Sequence, residues 1–203
     1  MGIHVIKMPD IGEGIAEVEL VAWNVQVGDN VVEDMNLADV NAMDRAAFVS
    51  ALGGIFERSA WVAERAFDGR PFATVEALHG AMVAAVRLAP ASRQLGLLHA
   101  HPELAGKAAM RGELTADSAT EQSGAGLDQC SPGEYARLTA LNAAYNAKFG
   151  FPFILAVRGY DRAGILDEFA RRVEHDRDAE LAEALVQVEK IARFRIDALL
   201  ASG

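Results

Sequence analysis

The 203-residue chain has one cysteine, Cys130, six prolines, few aromatic residues (7%) and only 19 lysines and arginines against 29 aspartates and glutamates. A single cysteine excludes an intrachain disulfide framework and a cysteine-rich zinc site. No uninterrupted apolar run reaches the roughly 18 residues of a membrane helix, and the N-terminus does not show the basic-then-apolar order of a signal peptide. The net charge of −10 and a pI near 4.9 repel phosphate backbones, which argues against nucleic acid as a partner. What is present in quantity is core material, at 51% hydrophobic residues. The expectation is a soluble cytoplasmic protein bound neither to membrane nor to nucleic acid.

Composition shifts near residue 40. Residues 1–40 hold one basic residue, Lys7, and eight acidic ones, so this fifth of the chain carries most of the net charge. Near-alternating Val18, Leu20, Trp23, Val25 and Val27, followed by the turn residues Gly28, Asp29 and Asn30, read as strand, turn and strand. From Met43 onward the period becomes helical. Asp44 can cap a segment whose Phe48, Leu52, Ile55 and Phe56 follow helical spacing. Further helices are expected at about 60–68, 75–88, 91–99, 115–127, 132–148, 162–175 and 178–200. The clearest start is Ser131-Pro132-Gly133-Glu134, a capping box with proline at the first helical position, and Gly150 and Pro152 end that helix. The fold expected is all-α, a single domain of about eight helices over 41–203, preceded by a short β-like segment over 1–40.

The N-terminal stretch, with PDIGEGI at 9–15 and W-x-V-x-V-G-D at 23–29, resembles the first half of a lipoyl domain of a dihydrolipoamide acyltransferase. That family would next supply a D-K-A hairpin carrying the lipoylated lysine. Here Met43, Asp44, Arg45 and Ala46 echo it only faintly, and arginine cannot form the amide to lipoate. Half a barrel leaves unpaired strand edges. Two such segments pairing across a homodimer would approximate a whole one.

Three groups in the helical part carry candidate chemistry. His99 and His101 have the His-x-His spacing that can begin a metal site, but they end a helical stretch. The plainer reading is one exposed and one buried histidine. Ser118, Glu121, Gln122 and Ala125 share one helical face, polar beside small, suited to a solvated surface or to a polar pocket. In the last helix, about 100° per residue places Leu181, Leu185, Val188, Ala192, Arg195 and Leu199 within about 40° of one line. Arg195 therefore lies on the apolar stripe. It must be paired, for which Glu121 is a candidate, or meet an anionic ligand. Arg158, after a run of apolar residues, is a second candidate for an anion contact.

Read together, HPELAG at 101–106, S-x-x-E-Q at 118–122, NAAYNAKFGFPFILAVRG at 142–159 and KIARFRI at 190–196 resemble the OHCU (2-oxo-4-hydroxy-4-carboxy-5-ureidoimidazoline) decarboxylase family over about residues 41–201. The resemblance implies an all-α homodimer acting on a small molecule, OHCU, which it converts to (S)-allantoin in urate breakdown without metal or organic cofactor. It implies His101 as general acid/base, Glu121 as its acidic partner, and Pro102, Ser118, Gln122 and Arg195 as substrate-binding residues. It also implies Phe151, Phe153 and Ile154 as pocket wall. A histidine titrating near neutrality would suit the proton transfer. The rival expectation is a catalytically inactive helical module that docks to an acyltransferase complex through the lipoyl-like segment.

Overall fold

The computed structural model describes residues 35–200. The chain divides between Glu33 and Asp34 into two units, and the second is described here. The strand, turn and loop expected within residues 10–30, and their pairing across a dimer, lie outside the described residues.

Ten α-helices account for most of the described residues, with no strand among them. They are α1 (Leu37–Ala42), α2 (Arg45–Leu52), α3 (Trp61–Ala66), α4 (Val75–Arg87), α5 (Ala91–Ala100), α6 (Lys107–Met110), α7 (Ala116–Gly124), α8 (Pro132–Phe149), α9 (Arg162–Arg172) and α10 (Arg177–Leu200). The all-α expectation holds. The two helices without a counterpart in it are α1 and α6, both too short for periodicity to register. The expected boundary at residue 40 falls inside α1, which opens on a capping box between Asn36 and Asp39 and buries Val40.

Seven helices begin where a short polar side chain accepts a backbone N–H of the first turn: Asn36, Asp44, Thr74, Thr115, Ser131, Asp161 and Asp176. Each such cap contributes about 1 kcal/mol, and each fixes where its helix starts. Helix α10 packs against α4, α5 and α8, so its stripe of Leu185, Val188, Ala192 and Ile196 faces the core.

After α8, Gly150 adopts φ 79° as a left-handed C-cap. Residues Phe151–Val157 then cross the interior fully buried, outside any helix. Side chains hold this segment in place. The Ile154 carbonyl accepts from Arg172 Nη1 at 2.7 Å, and the Ala156 N–H donates to Gln187 Oε1 at 3.0 Å. Arg172 and Glu180 are both 0% exposed and ion-paired, and the Glu180 carboxylate also accepts from the Tyr145 hydroxyl and from His175 Nδ1. The Arg172 guanidinium lies 4.6 Å from the centroid of the Phe153 ring. Burying that many charges is tolerable only because every carboxylate oxygen and guanidinium nitrogen has a partner.

Candidate active site

His101 is the residue at which α5 stops, because Pro102 follows it and disfavours a helical conformation at its predecessor. It is buried, and its Nδ1 lies 2.9 Å from the Leu97 carbonyl oxygen. A carbonyl can only accept, so Nδ1 carries the hydrogen and Nε2 keeps its lone pair. Burial, aided by the nearby Arg195 charge, pulls the imidazole down to about 4, against the opposing pull of the Leu97 bond and Glu57. The near-neutral titration expected from sequence is therefore corrected. Desolvation of the charged ring makes His101 a neutral base at physiological pH. His99 is exposed, and no group of three metal-ligating side chains occurs among the described residues, which leaves the two histidines as the exposed and buried pair.

Arg195 projects from α10 into a cage of acceptors. Its Nε and Nη2 donate to Glu121 at 2.8 and 2.9 Å, and Nη1 donates to Glu57 at 3.0 Å and to the Gly54 carbonyl at 3.4 Å. Nη2 also donates to the Ser118 hydroxyl at 3.2 Å, and that hydroxyl donates onward to Glu57 at 2.9 Å. A guanidinium has five N–H donors, and all five are engaged. The substrate contact expected of Arg195 thus meets a full set of protein partners, while the anticipated bridge to Glu121 is present.

Glu57 is the residue that sequence reasoning missed. It follows a buried Ile55-Phe56 pair after α2 has ended and is itself 2% exposed. Burial alone would raise its pKa, but hydrogen bonds from Thr115, Arg195 and Ser118 outweigh that and hold the carboxyl below its usual range. Nothing in the local sequence marks it; in the structure Arg58, at φ 46°, turns the chain immediately after it.

Gln122 serves the His101 loop. Its Oε1 accepts from the Ala105 N–H at 3.0 Å and its Nε2 donates to the Glu103 carbonyl at 3.4 Å. Ala105 sits at φ 49°, a strained conformation that this clamp helps to maintain. Asn146 and Asn142, from α8, bind the Glu103 carboxylate and the Leu104 carbonyl of the same loop.

A small cavity of about 30 Å³ gathers most of the expected residues: His101, Pro102, Ser118, Glu121, Gln122, Phe153 and Ile154, with Leu155 and Val157. Phe151 is not among its lining residues. It belongs instead to an aromatic cluster in which its ring lies 5.9 Å from that of Tyr145. The small cavity has room for little more than a water molecule. Two larger cavities, of about 350 and 250 Å³, share Glu121 with it and bring in Arg158 and Phe194. A fourth, of about 480 Å³ on the Met110 and Tyr135 side of α7, includes neither His101 nor Arg195.

A buried imidazole in a small cavity, which shares Glu121 with two larger ones, is the kind of arrangement that acid–base enzymes use. Comparison with known proteins then names the family. Residues 41–197 match the family model described as OHCU decarboxylase. The chain is 42% identical over 166 residues to the 2-oxo-4-hydroxy-4-carboxy-5-ureidoimidazoline decarboxylase of Mus musculus, covering 82% of this chain and 93% of that protein. The protein of the same name from Haloferax volcanii is 41% identical over 165 residues, covering 81% and 96%. A crystal structure of (S)-allantoin synthase superposes with a TM-score of 0.67 at 32% identity, over 82% of this chain and 54% of that one. The chain belongs to the OHCU decarboxylase family.

Residues 4–51 match a second family model, described as Biotin-requiring enzyme. That match runs on through α1 into α2, and so spans the faint Asp44-Arg45-Ala46 echo of the lysine hairpin. Arg45 is ion-paired with Asp68 and lies over the Phe67 ring at 4.3 Å. No described helix is long and apolar enough to cross a membrane.

Proposed function

We propose that the protein decarboxylates OHCU to (S)-allantoin in urate breakdown, with His101 as the group that moves the proton. The observation that carries this is the state of His101: buried, neutral, its Nδ1 fixed on Leu97 and its other nitrogen free, beside the Ser118–Gln122 face. OHCU carries a hydroxyl and a carboxylate on one ring carbon, and its neighbouring ring carbon is held in a C=N bond. When CO₂ leaves, the electron pair passes into that bond, so the substrate serves as its own electron sink. Nε2 of His101 takes the hydroxyl proton, which leaves a carbonyl, and the resulting imidazolium returns a proton to the adjacent carbon on one face only. One further proton from solvent on the ring nitrogen balances the loss of the carboxylate charge.

In this reading Glu121, whose side chain is 29% exposed, faces the ligand and stabilises the transient imidazolium. Arg195 and Glu57 hold Glu121 and Ser118 in position, and Gln122 and Pro102 set the His101 loop. Phe153 and Ile154 form the wall. With the Ile154 carbonyl and the Ala156 N–H taken by side chains, this reading assigns the backbone groups of Leu155 to the ligand. The same proposal includes a homodimer in the cytoplasm, no cofactor, and a domain division between the acidic N-terminal segment and the helical enzyme.

The test is circular dichroism of urate converted in the cuvette by urate oxidase and hydroxyisourate hydrolase, with and without this protein. Spontaneous decay gives racemic allantoin, so only enzymatic decarboxylation yields a fast, persistent chiral signal. His101→Ala should lower turnover by roughly 10²–10⁴ with the helical spectrum retained. A folded variant with wild-type turnover would remove His101 from this role.

A further inference from the structure

The inner site has no cation to offer an anion. Arg195 is opposed by two carboxylates, Glu57 and Glu121, and His101 is neutral, so the cluster carries an excess negative charge. Asp117 adds another along the 350 Å³ cavity. A carboxylate approaching from water is repelled unless something compensates.

Arg158 is placed to do so. It lines both outer cavities, is exposed, and has no carboxylate partner among the described residues. Its guanidinium lies 4.3 Å from the centroid of the Phe194 ring, which lines the same two cavities. Stacking on that face orients the planar fork and leaves its edge donors free. The backbone beneath it is fixed, since Val157 is buried and a turn from the Val157 carbonyl to the Tyr160 N–H, with Gly159 at φ 89°, closes the segment.

We propose that Arg158 captures the substrate's carboxylate at the mouth of the site, before it reaches His101; this rests on the decarboxylase reading above. Capture at the mouth is chemically preferable to a lasting ion pair in the reactive complex. A guanidinium held on the departing carboxylate would stabilise the ground state more than the transition state, from which that charge is leaving. Arg158 therefore acts on kcat/KM and not on kcat.

The experiment compares wild type, Arg158→Gln and Arg158→Lys in the dichroism assay at about 20 and 200 mM salt. Arg158→Gln should lose roughly tenfold in kcat/KM at low salt, keep kcat within about twofold, and lose most of the salt dependence. Arg158→Lys should recover the salt dependence and most of the loss. An active wild type whose Arg158→Gln variant shows the same kcat/KM and salt dependence overturns the proposal alone. So does a variant whose kcat falls as far as its kcat/KM. A wild type that forms no chiral allantoin overturns the decarboxylase reading, and the capture role with it.

Discussion

Lowering the pH from 7.5 to 5.5 separates a buried neutral histidine from an ordinary one. With an imidazole at the ordinary value of 6.5, about one molecule in ten retains the neutral base at pH 5.5, and kcat/KM falls by about tenfold. With His101 at about 4, about 97% retain it and the loss from this group is negligible. The measurement is the initial rate of (S)-allantoin formation after a rapid pH jump, with substrate freshly generated at neutral pH. The same displacement has a counterpart in stability. The unfolded chain takes up the proton as pH falls below about 6.5, whereas the folded chain resists until about 4. This contribution is fully present above pH 6.5 and is lost as pH drops toward 4, by up to about 3 kcal/mol. Urea melts of wild type and His101→Asn at pH 7 and 4.5 isolate it, since the other titrating groups are common to both. An acid limb of kcat/KM centred near 6.5, or parallel pH dependences of stability in the two proteins, would refute the assignment of a depressed pKa to burial.

Two buried ion clusters supply further expectations. Arg195→Ala strands Glu57, 2% exposed, without its cation, and should cost about 3–5 kcal/mol in urea unfolding; an unchanged midpoint would show that Glu57 is solvated. Glu180→Gln leaves the fully buried Arg172 unpaired at a similar cost. Adding Arg172→Met to it should restore more than about 1 kcal/mol, and strict additivity of the two changes would contradict a shared network.

Much of the helical frame can be read in the sequence because it is written in local chemistry. The capping residues Asp44, Thr74, Thr115, Ser131 and Asp161 mark helix starts, and Gly150 marks an end. Arg195 is legible for the same reason: a charge at an apolar register announces a buried partner. Arg172 carries the identical signal, lying in line with Ile165 and Phe169 on α9, and the same argument applied there finds the second ion cluster. Glu57 is different. It sits in a non-helical turn, where no period says which way a side chain points, and only tertiary packing of α7 and α10 around it makes it part of the site. Phe151 and Phe153 show the converse. Two positions apart in one apolar run, they are alike in sequence and both join the aromatic cluster, yet only Phe153 also lines the cavity. The absolute orientation of that run is set by Arg172 and Gln187, both distant in the chain.

The way Arg172 and Gln187 pin the 154–156 segment bears on how such a site can evolve. If, as proposed, the Leu155 N–H is a ligand donor, it is not encoded by any particular side chain, so a point substitution at Leu155 reshapes the wall without deleting the donor; only proline removes it. Polar recognition along this wall is thereby insulated from mutational drift at the wall itself. The vulnerability is moved to two positions on α9 and α10, one of them out of reach of solvent, whose loss would release the segment.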